Sequence, residues 1–181
     1  MNLRNQSLTW HSHTPEKNGP YRHWLSDSGS LTRRIQARCA AFSVRQVVQR
    51  YGRACRDEAA LVGLQARELA LLREVYLYCG ESPVVFAHSV FPRKGLRGPW
   101  QPLSRLGNKP LGAALFANPV VQRTPLQFRK LTPHHELYRR AIRVLAVRPA
   151  YLWARRSVFS LHGSPILVTE VFLPQILALR G

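Results

Sequence analysis

The chain has 181 residues, room for one domain with a sizeable core, and 45% of them are hydrophobic, which excludes a disordered or low-complexity chain. Lysine and arginine total 27 against nine acids, a formal charge of +18, so nucleic acid, anionic lipid and small anions are the partners to weigh. The cations recur singly or in pairs without zinc-finger spacing, an RNP-type motif or a GXXG clamp, and no apolar run approaches the ~20 residues of a membrane span.

The N-terminus, MNLRNQSLTWHSHTPEKNG, has no apolar signal core, and a cytoplasmic protein is expected. Residues 1–22 are polar and read as a loosely ordered lead-in, leaving residues 23–181 as the domain. Ser26-Asp27-Ser28-Gly29-Ser30 is a run of capping residues before LTRRIQ, which predicts a short helix capped by Ser30. FSVRQVVQRY, residues 42–51, alternates and is β-branched, so it predicts a first strand. Asp57 to Gln65, rich in Ala and Leu, predicts a helical turn. LALLREVYLYC, residues 69–79, predicts a strand whose odd positions put Arg73 on one face with Leu69, Leu71, Val75, Leu77 and Cys79. Gly80-Glu81-Ser82-Pro83 then turns the chain into VVFAHSVFP, another strand.

Pro92 to Pro102, PRKGLRGPWQP, reads as loop. LSRLGNKPLGAALFAN, residues 103–118, predicts a short helix with Pro110 in its first turn. Residues 120–131 predict a strand that Pro125 interrupts, and therefore an edge strand. Glu136 to Val147 has helical periodicity within an arginine-rich stretch. These long connections are where a cover over a buried site is expected. Finally RSVFSLHGSPILVTEVFLP, residues 156–174, predicts two strands joined by a His162-Gly163-Ser164-Pro165 turn, with Ile166, Val168, Glu170 and Phe172 on one face of the second.

Cys39, Cys55 and Cys79 lie far apart without a CxxC pair, which argues against a disulfide framework and a zinc site. His11, His13, His134 and His135 lack cysteine or carboxylate partners at ligand spacing and read as loop histidines, so no metal is expected. The two hairpins resemble one another. Arg73 and Arg156 each precede a turn glycine by seven residues, each turn ends in Ser-Pro, and His88 and Glu170 each stand five residues past the turn proline. Either the chain holds an internal repeat or hairpins simply share turn chemistry, and both alternatives pack two hairpins into one antiparallel sheet.

Arg73 and Glu170 are charges on otherwise apolar faces, where an unpaired charge is costly. Two readings stand. Each belongs to an ordinary ion pair or reaches water past the sheet edge. Alternatively both line a pocket for a small, mostly apolar anion. Arg73 then takes a carboxylate through its planar fork, and Glu170 accepts from a hydroxyl at the ligand's far end.

Five segments, WLSDSGSLTRR, LLREVYLYCGESP, LSRLGNKPLGAALF, LWARRSVFSLHG and SPILVTEVFLP, together closely resemble the chorismate lyase (chorismate–pyruvate lyase) family of bacterial ubiquinone synthesis. The likeness runs in order from about Trp24 to the C-terminus. It implies a single α+β domain, an antiparallel β-sheet with helices packed on it and flap-like connections over a buried ligand site. It also implies a lyase that eliminates pyruvate from chorismate to give 4-hydroxybenzoate, the first step of ubiquinone biosynthesis, with no metal or organic cofactor. Carried over residue by residue, Arg73 in LLREVYL falls on the family's carboxylate-binding arginine and Glu170 in VTEVFLP on the carboxylate that meets the ring hydroxyl, the two expected catalytic residues. Leu31 in SLTRR and Leu111 in NKPLG fall on substrate-lining positions, partly through main-chain groups. His88 stands where some relatives have arginine, and Arg155-Arg156 match a family arginine pair. The partners so implied are chorismate and 4-hydroxybenzoate, for a monomer with no specific nucleic acid and at most weak contact with an anionic membrane surface. The rival readings are a non-catalytic sensor of small carboxylates on the same fold, and a basic nucleic-acid-binding protein.

Overall fold

Among the described residues, runs of Val, Leu, Phe and Tyr form seven antiparallel strands: β1 (Phe42–Gly52), β2 (Ala70–Cys79), β3 (Ser82–Pro92), β4 (Gln122–Arg123), β5 (Gln127–Leu131), β6 (Leu152–Leu161) and β7 (Ser164–Phe172). They make one sheet in the order β1-β2-β3-β7-β6-β4, with β5 pairing further along the outer edge of β6. Six short helices among the described residues surround it: α1 (Arg22–Ser26), α2 (Leu31–Gln36), α3 (Arg56–Leu61), α4 (Arg93–Leu96), α5 (Leu111–Ala117) and α6 (Glu136–Ala141). The structure, a computed structural model, describes residues 9–13 and 19–179, and among these no helix is long and apolar enough to cross a membrane. Most of the lead-in lies outside the described residues. Its residue His11 bridges to Phe128 of β5, and Trp10 donates to Asp57.

Local chemistry explains most of the boundaries. Ser30 caps α2, its side chain accepting from the Arg33 amide. Pro110 is the N-cap of α5 and stands just ahead of the first turn in which sequence places it. The stretch 92–102 is not plain loop: α4 and a 3₁₀ turn at Gln101–Arg105 bury Leu96, Trp100 and Leu103. Trp100 also donates to the Ser164 carbonyl, so packing orders a segment whose Pro and Gly content reads as irregular. The strand expected over 120–131 is two pieces, β4 and β5, separated around Pro125 and both on the edge.

The two hairpin turns are shorter than their sequences suggest. Ser82-Pro83 and Ser164-Pro165 already belong to β3 and β7, leaving Gly80-Glu81 and His162-Gly163 as the loops. His162 and Gly163 have φ of 48° and 73°, the left-handed pair that a two-residue hairpin of matching twist requires. The hairpins lie side by side through β3 and β7. Their register pairs His88 with Thr169 and Ala87 with Glu170. His88 and Glu170, equivalent by sequence, therefore point to opposite faces, since a one-residue offset flips every side chain. The likeness of the hairpins resides in turn chemistry and does not extend to an equivalent set of side chains.

Each face of the sheet carries two apolar clusters with a polar band between them. On the front face, Leu77, Val85, Phe172 and Trp153 pack with Trp24, Leu25 and Ile35, while Leu71, Phe91, Ile166 and Phe159 pack with Leu96, Trp100, Leu103 and Leu115. Between them run two cross-strand rows, Arg73–Ser89–Val168–Ser157 and Val75–Ala87–Glu170–Arg155. On the back face the row Glu74–His88–Thr169–Arg156 lies between a cluster that includes Tyr138 of α6 and one that includes Val62 after α3.

Cys39 and Cys79 form a disulfide, correcting the reading of three unconnected thiols. The bond joins the chain just after α2 to the end of β2 across a separation of 40 residues, with a Cα–Cα distance of 5.8 Å. Tertiary packing alone brings these positions together, so spacing gives no sign of it. Cys55 remains a free thiol.

Candidate active site

The front-face rows have small side chains at their centre. Ala87, Ser89 and Ser157 leave a cavity in the sheet surface between the two apolar clusters. Leu31 and Thr32, the first residues of α2, and Leu111 and Gly112, the first residues of α5, form part of its wall. These helix starts approach closely: a Cβ on Gly112 would meet Thr32 Oγ1 at 3.1 Å. The opening main-chain N–H groups of a helix have no intrahelical acceptor, so Leu31 and Leu111 bring donors as well as apolar side chains. Arg73 and Glu170 line the same cavity. The structure thus brings together all four residues that the sequence singles out.

Arg73 is 2% exposed, and its Nη2 donates to the carbonyls of Gly107 and Lys109, each at 3.0 Å. Among the described residues its Nε has no hydrogen-bond partner, and no carboxylate forms an ion pair with it. Burial pushes its pKa down to about 10, which still leaves it charged at neutral pH. A buried guanidinium that faces a cavity with only neutral acceptors among the described residues has the chemistry to receive an anion.

Glu170 does have a cationic partner. Its Oε2 accepts from Arg155 Nε at 2.5 Å, while Oε1 accepts from no described residue. Arg155 is almost fully buried, and its Nη1 also donates to the carbonyls of Trp24, Leu25 and Asp27 at 2.9, 3.3 and 2.5 Å. This arginine fixes both the carboxylate and the segment leading into α2. The signal for the pairing was present in the turn. With His162-Gly163 as a two-residue loop, Leu161 opposes Ser164, and counting back puts Arg155 opposite Glu170. A four-residue turn misplaces that register.

Arg123 of β4 is the residue that sequence reasoning missed. It also lines the cavity, donating through Nε to Ser157 Oγ at 2.8 Å and through Nη1 to the Ser28 carbonyl at 2.5 Å. A two-residue strand has no periodicity from which such a placement could be read.

The structure places His88 and Arg156 on the opposite face. His88 is 1% exposed, with Nδ1 3.1 Å from Glu74 Oε1 and Nε2 3.4 Å from Glu58 Oε1, the second an ion-pair contact too long for a strong hydrogen bond. Burial alone would discharge the imidazole, but the two carboxylates outweigh it and hold the pKa up at about 9. Arg140 of α6 donates to Glu74 at 2.5 Å and also pairs with Glu136. Arg156 bonds Asp57 at 2.8 Å and Gln127 at 2.9 Å, with Trp10 stacked 4.1 Å from its guanidinium carbon. This network ties α3 and α6 to the sheet and gives His88 no access to the front cavity.

The sequence model of the family described as chorismate lyase matches residues 5–180. This chain belongs to the chorismate lyase family. The family match begins well upstream of Trp24, where the recognisable motifs start. The chain is 59% identical to the "Probable chorismate pyruvate-lyase" of Nitrosospira multiformis over 175 residues, covering 96% of this chain and 97% of that protein. It is 54% identical to the protein of the same description from Nitrosomonas europaea, with coverage of 95% and 97%. Among solved structures it is similar to the effector domain of PhnF from Mycobacterium smegmatis, with a TM-score of 0.58 at 15% identity, covering 81% of this chain and 90% of that one. The ligand-binding domain of a GntR-family regulator from Bordetella bronchiseptica gives 0.53 at 19% identity, with coverage of 74% and 84%. At such identities the likeness is one of fold. This chain and these effector domains share a fold.

Proposed function

We propose that the protein eliminates pyruvate from chorismate to leave 4-hydroxybenzoate and so provides the first step of ubiquinone biosynthesis. The observation that carries this reading is Arg73, a buried cation without a carboxylate partner among the described residues, in one cavity with Glu170. Arg73 anchors the carboxylate on the ring, and Glu170 accepts from the hydroxyl at C4. During reaction the ring loses its C4 proton, the bond from C3 to the ether oxygen breaks, and the released enolpyruvate gains a proton at its methylene carbon. The products are one aromatic acid and one pyruvate, and aromatisation drives the change.

An elimination driven by aromatisation calls for no strong nucleophile, metal or organic cofactor in this reading. What the site must do is hold the side chain in a reactive geometry and keep water away. In this reading the enzyme acts as a cytoplasmic monomer, and its positive charge raises the local concentration of a dianionic substrate. The deciding experiment mixes purified protein with chorismate and follows pyruvate and 4-hydroxybenzoate together by NMR. Equal appearance of both, faster than spontaneous decay, is expected. Binding of 4-hydroxybenzoate without turnover would instead favour a non-catalytic carboxylate sensor.

A further inference from the structure

We propose that Arg123 receives the second carboxylate of the substrate, the one on the enolpyruvyl side chain. This rests on the chorismate reading and extends it to a residue outside the motifs that carry the family resemblance. Three guanidinium groups belong to the front-face cavity and its floor, those of Arg73, Arg123 and Arg155. Arg155 is committed to Glu170 and three carbonyls. Arg73 and Arg123 meet neutral acceptors only: two carbonyls for the first, a hydroxyl and a carbonyl for the second. The wall therefore carries two cations whose charge no described carboxylate takes up in an ion pair, which suits a dicarboxylate better than a single acid.

Their placement fits the shape of the substrate. Ser157, which Arg123 grips, lies in the same cross-strand row as Arg73. Three strand spacings of ~4.8 Å separate the ends of this row, about 14 Å between backbones from which the side chains extend. Ser89 and Val168 lie between them, and Glu170 occupies the adjacent row on β7. Chorismate carries its ring carboxylate at one end, and at the other its hydroxyl next to the enolpyruvyl ether. With the ring carboxylate on Arg73 and the hydroxyl on Glu170, the remaining carboxylate falls on the β6–β4 side, where Arg123 stands.

Arg123 is also fixed in advance. Its guanidinium carbon lies 5.3 Å from the Phe116 ring and 5.0 Å from the Phe159 ring, while Nε and Nη1 are anchored. Nη2 accordingly has no described acceptor. Burial lowers the pKa of this arginine, opposed by the negative charges of Glu170 and Asp27 and reinforced by the positive charge of Arg155. Holding a donor in place before the ligand arrives reduces the ordering cost of binding it.

A plain alternative is that Arg123 only secures the Ser28 segment. The two roles separate by calorimetry on 4-hydroxybenzoate, with one carboxylate, and on 3-(1-carboxyethoxy)-4-hydroxybenzoate, a stable ether with two. Arg123→Gln should weaken the dicarboxylate about thirty-fold or more while 4-hydroxybenzoate changes less than about twofold. Arg123→Met, which can pack between the same two rings, should give the same split should the glutamine variant not fold. Parallel weakening of both ligands, or an unchanged dicarboxylate, would overturn the assignment. A wild-type protein that releases no pyruvate from chorismate would sink the lyase reading separately, whatever the two affinities show.

Discussion

At the scale of single residues, the front face sets a cation that has no carboxylate partner among the described residues beside a carboxylate that Arg155 already holds. Arg73→Ala should cost 4-hydroxybenzoate binding about 2–5 kcal/mol by calorimetry, the loss typical of truncating one side of a buried, hydrogen-bonded charge pair. Unchanged affinity would remove Arg73 from the site. Glu170→Gln keeps the shape of the side chain, so far-UV circular dichroism should be unaltered while turnover of chorismate falls. Normal turnover would leave Glu170 as nothing more than the counter-charge of Arg155. His88 makes the complementary lesson on the back face: its buried charge is fully explained by Glu74 and Glu58 and calls for no ligand.

At the scale of elements, much of the sheet was legible. Alternation placed Arg73 among Leu71, Val75 and Leu77, and Glu170 among Ile166, Val168 and Phe172, as the strands show. Alternation does not say whether two faces lie on the same side of a sheet. That depends on register, which the length of a turn decides, and Ser-Pro inside the strands obscured it. Glu58 on α3, Arg140 on α6 and Arg123 on β4 were unreadable for a related reason: each meets its partners only through tertiary packing. The Cys39–Cys79 disulfide belongs to the same class and closes a loop of 40 residues. Constraining an unfolded loop of that length is worth roughly 4 kcal/mol, or about 8–16 °C in melting temperature for a chain of this size. Scanning calorimetry with and without a phosphine reductant should show that drop. No change would mean that the bond does not constrain the unfolded chain.

At the scale of the whole molecule, polar bands run through the middle of both sheet faces, one bordering a cavity and one closed by its own charges. The closed band makes stability depend on pH. His88 titrates near 9, above its ordinary 6.5, so its contribution is complete below about pH 6.5 and fades as pH rises through 9. Glu74 is held down near 2 by His88 and Arg140 against the opposing effect of burial, so its contribution is complete above about pH 4.5 and fades only in strong acid. Melting temperature should therefore decline between pH 6.5 and 9.5 in the wild type, and His88→Gln should flatten that decline. An identical slope in the variant would show that other groups govern it. The +18 charge gives a second global test. Added salt screens long-range attraction, so kcat/KM for chorismate should fall from 50 to 500 mM salt while the folded spectrum stays constant. A flat profile would leave the basic surface without a part in substrate capture.

Arg155 has one further consequence. The guanidinium that neutralises Glu170 also clasps the Trp24, Leu25 and Asp27 carbonyls, so that segment cannot lift away from the sheet without loosening this grip. Any exit by that side would disturb the counter-charge of Glu170 at the moment of opening. Departure of a finished molecule and recovery of the ionic state for the next one would then be a single event, and the time a product stays inside would be set by the same few hydrogen bonds that prepare the site.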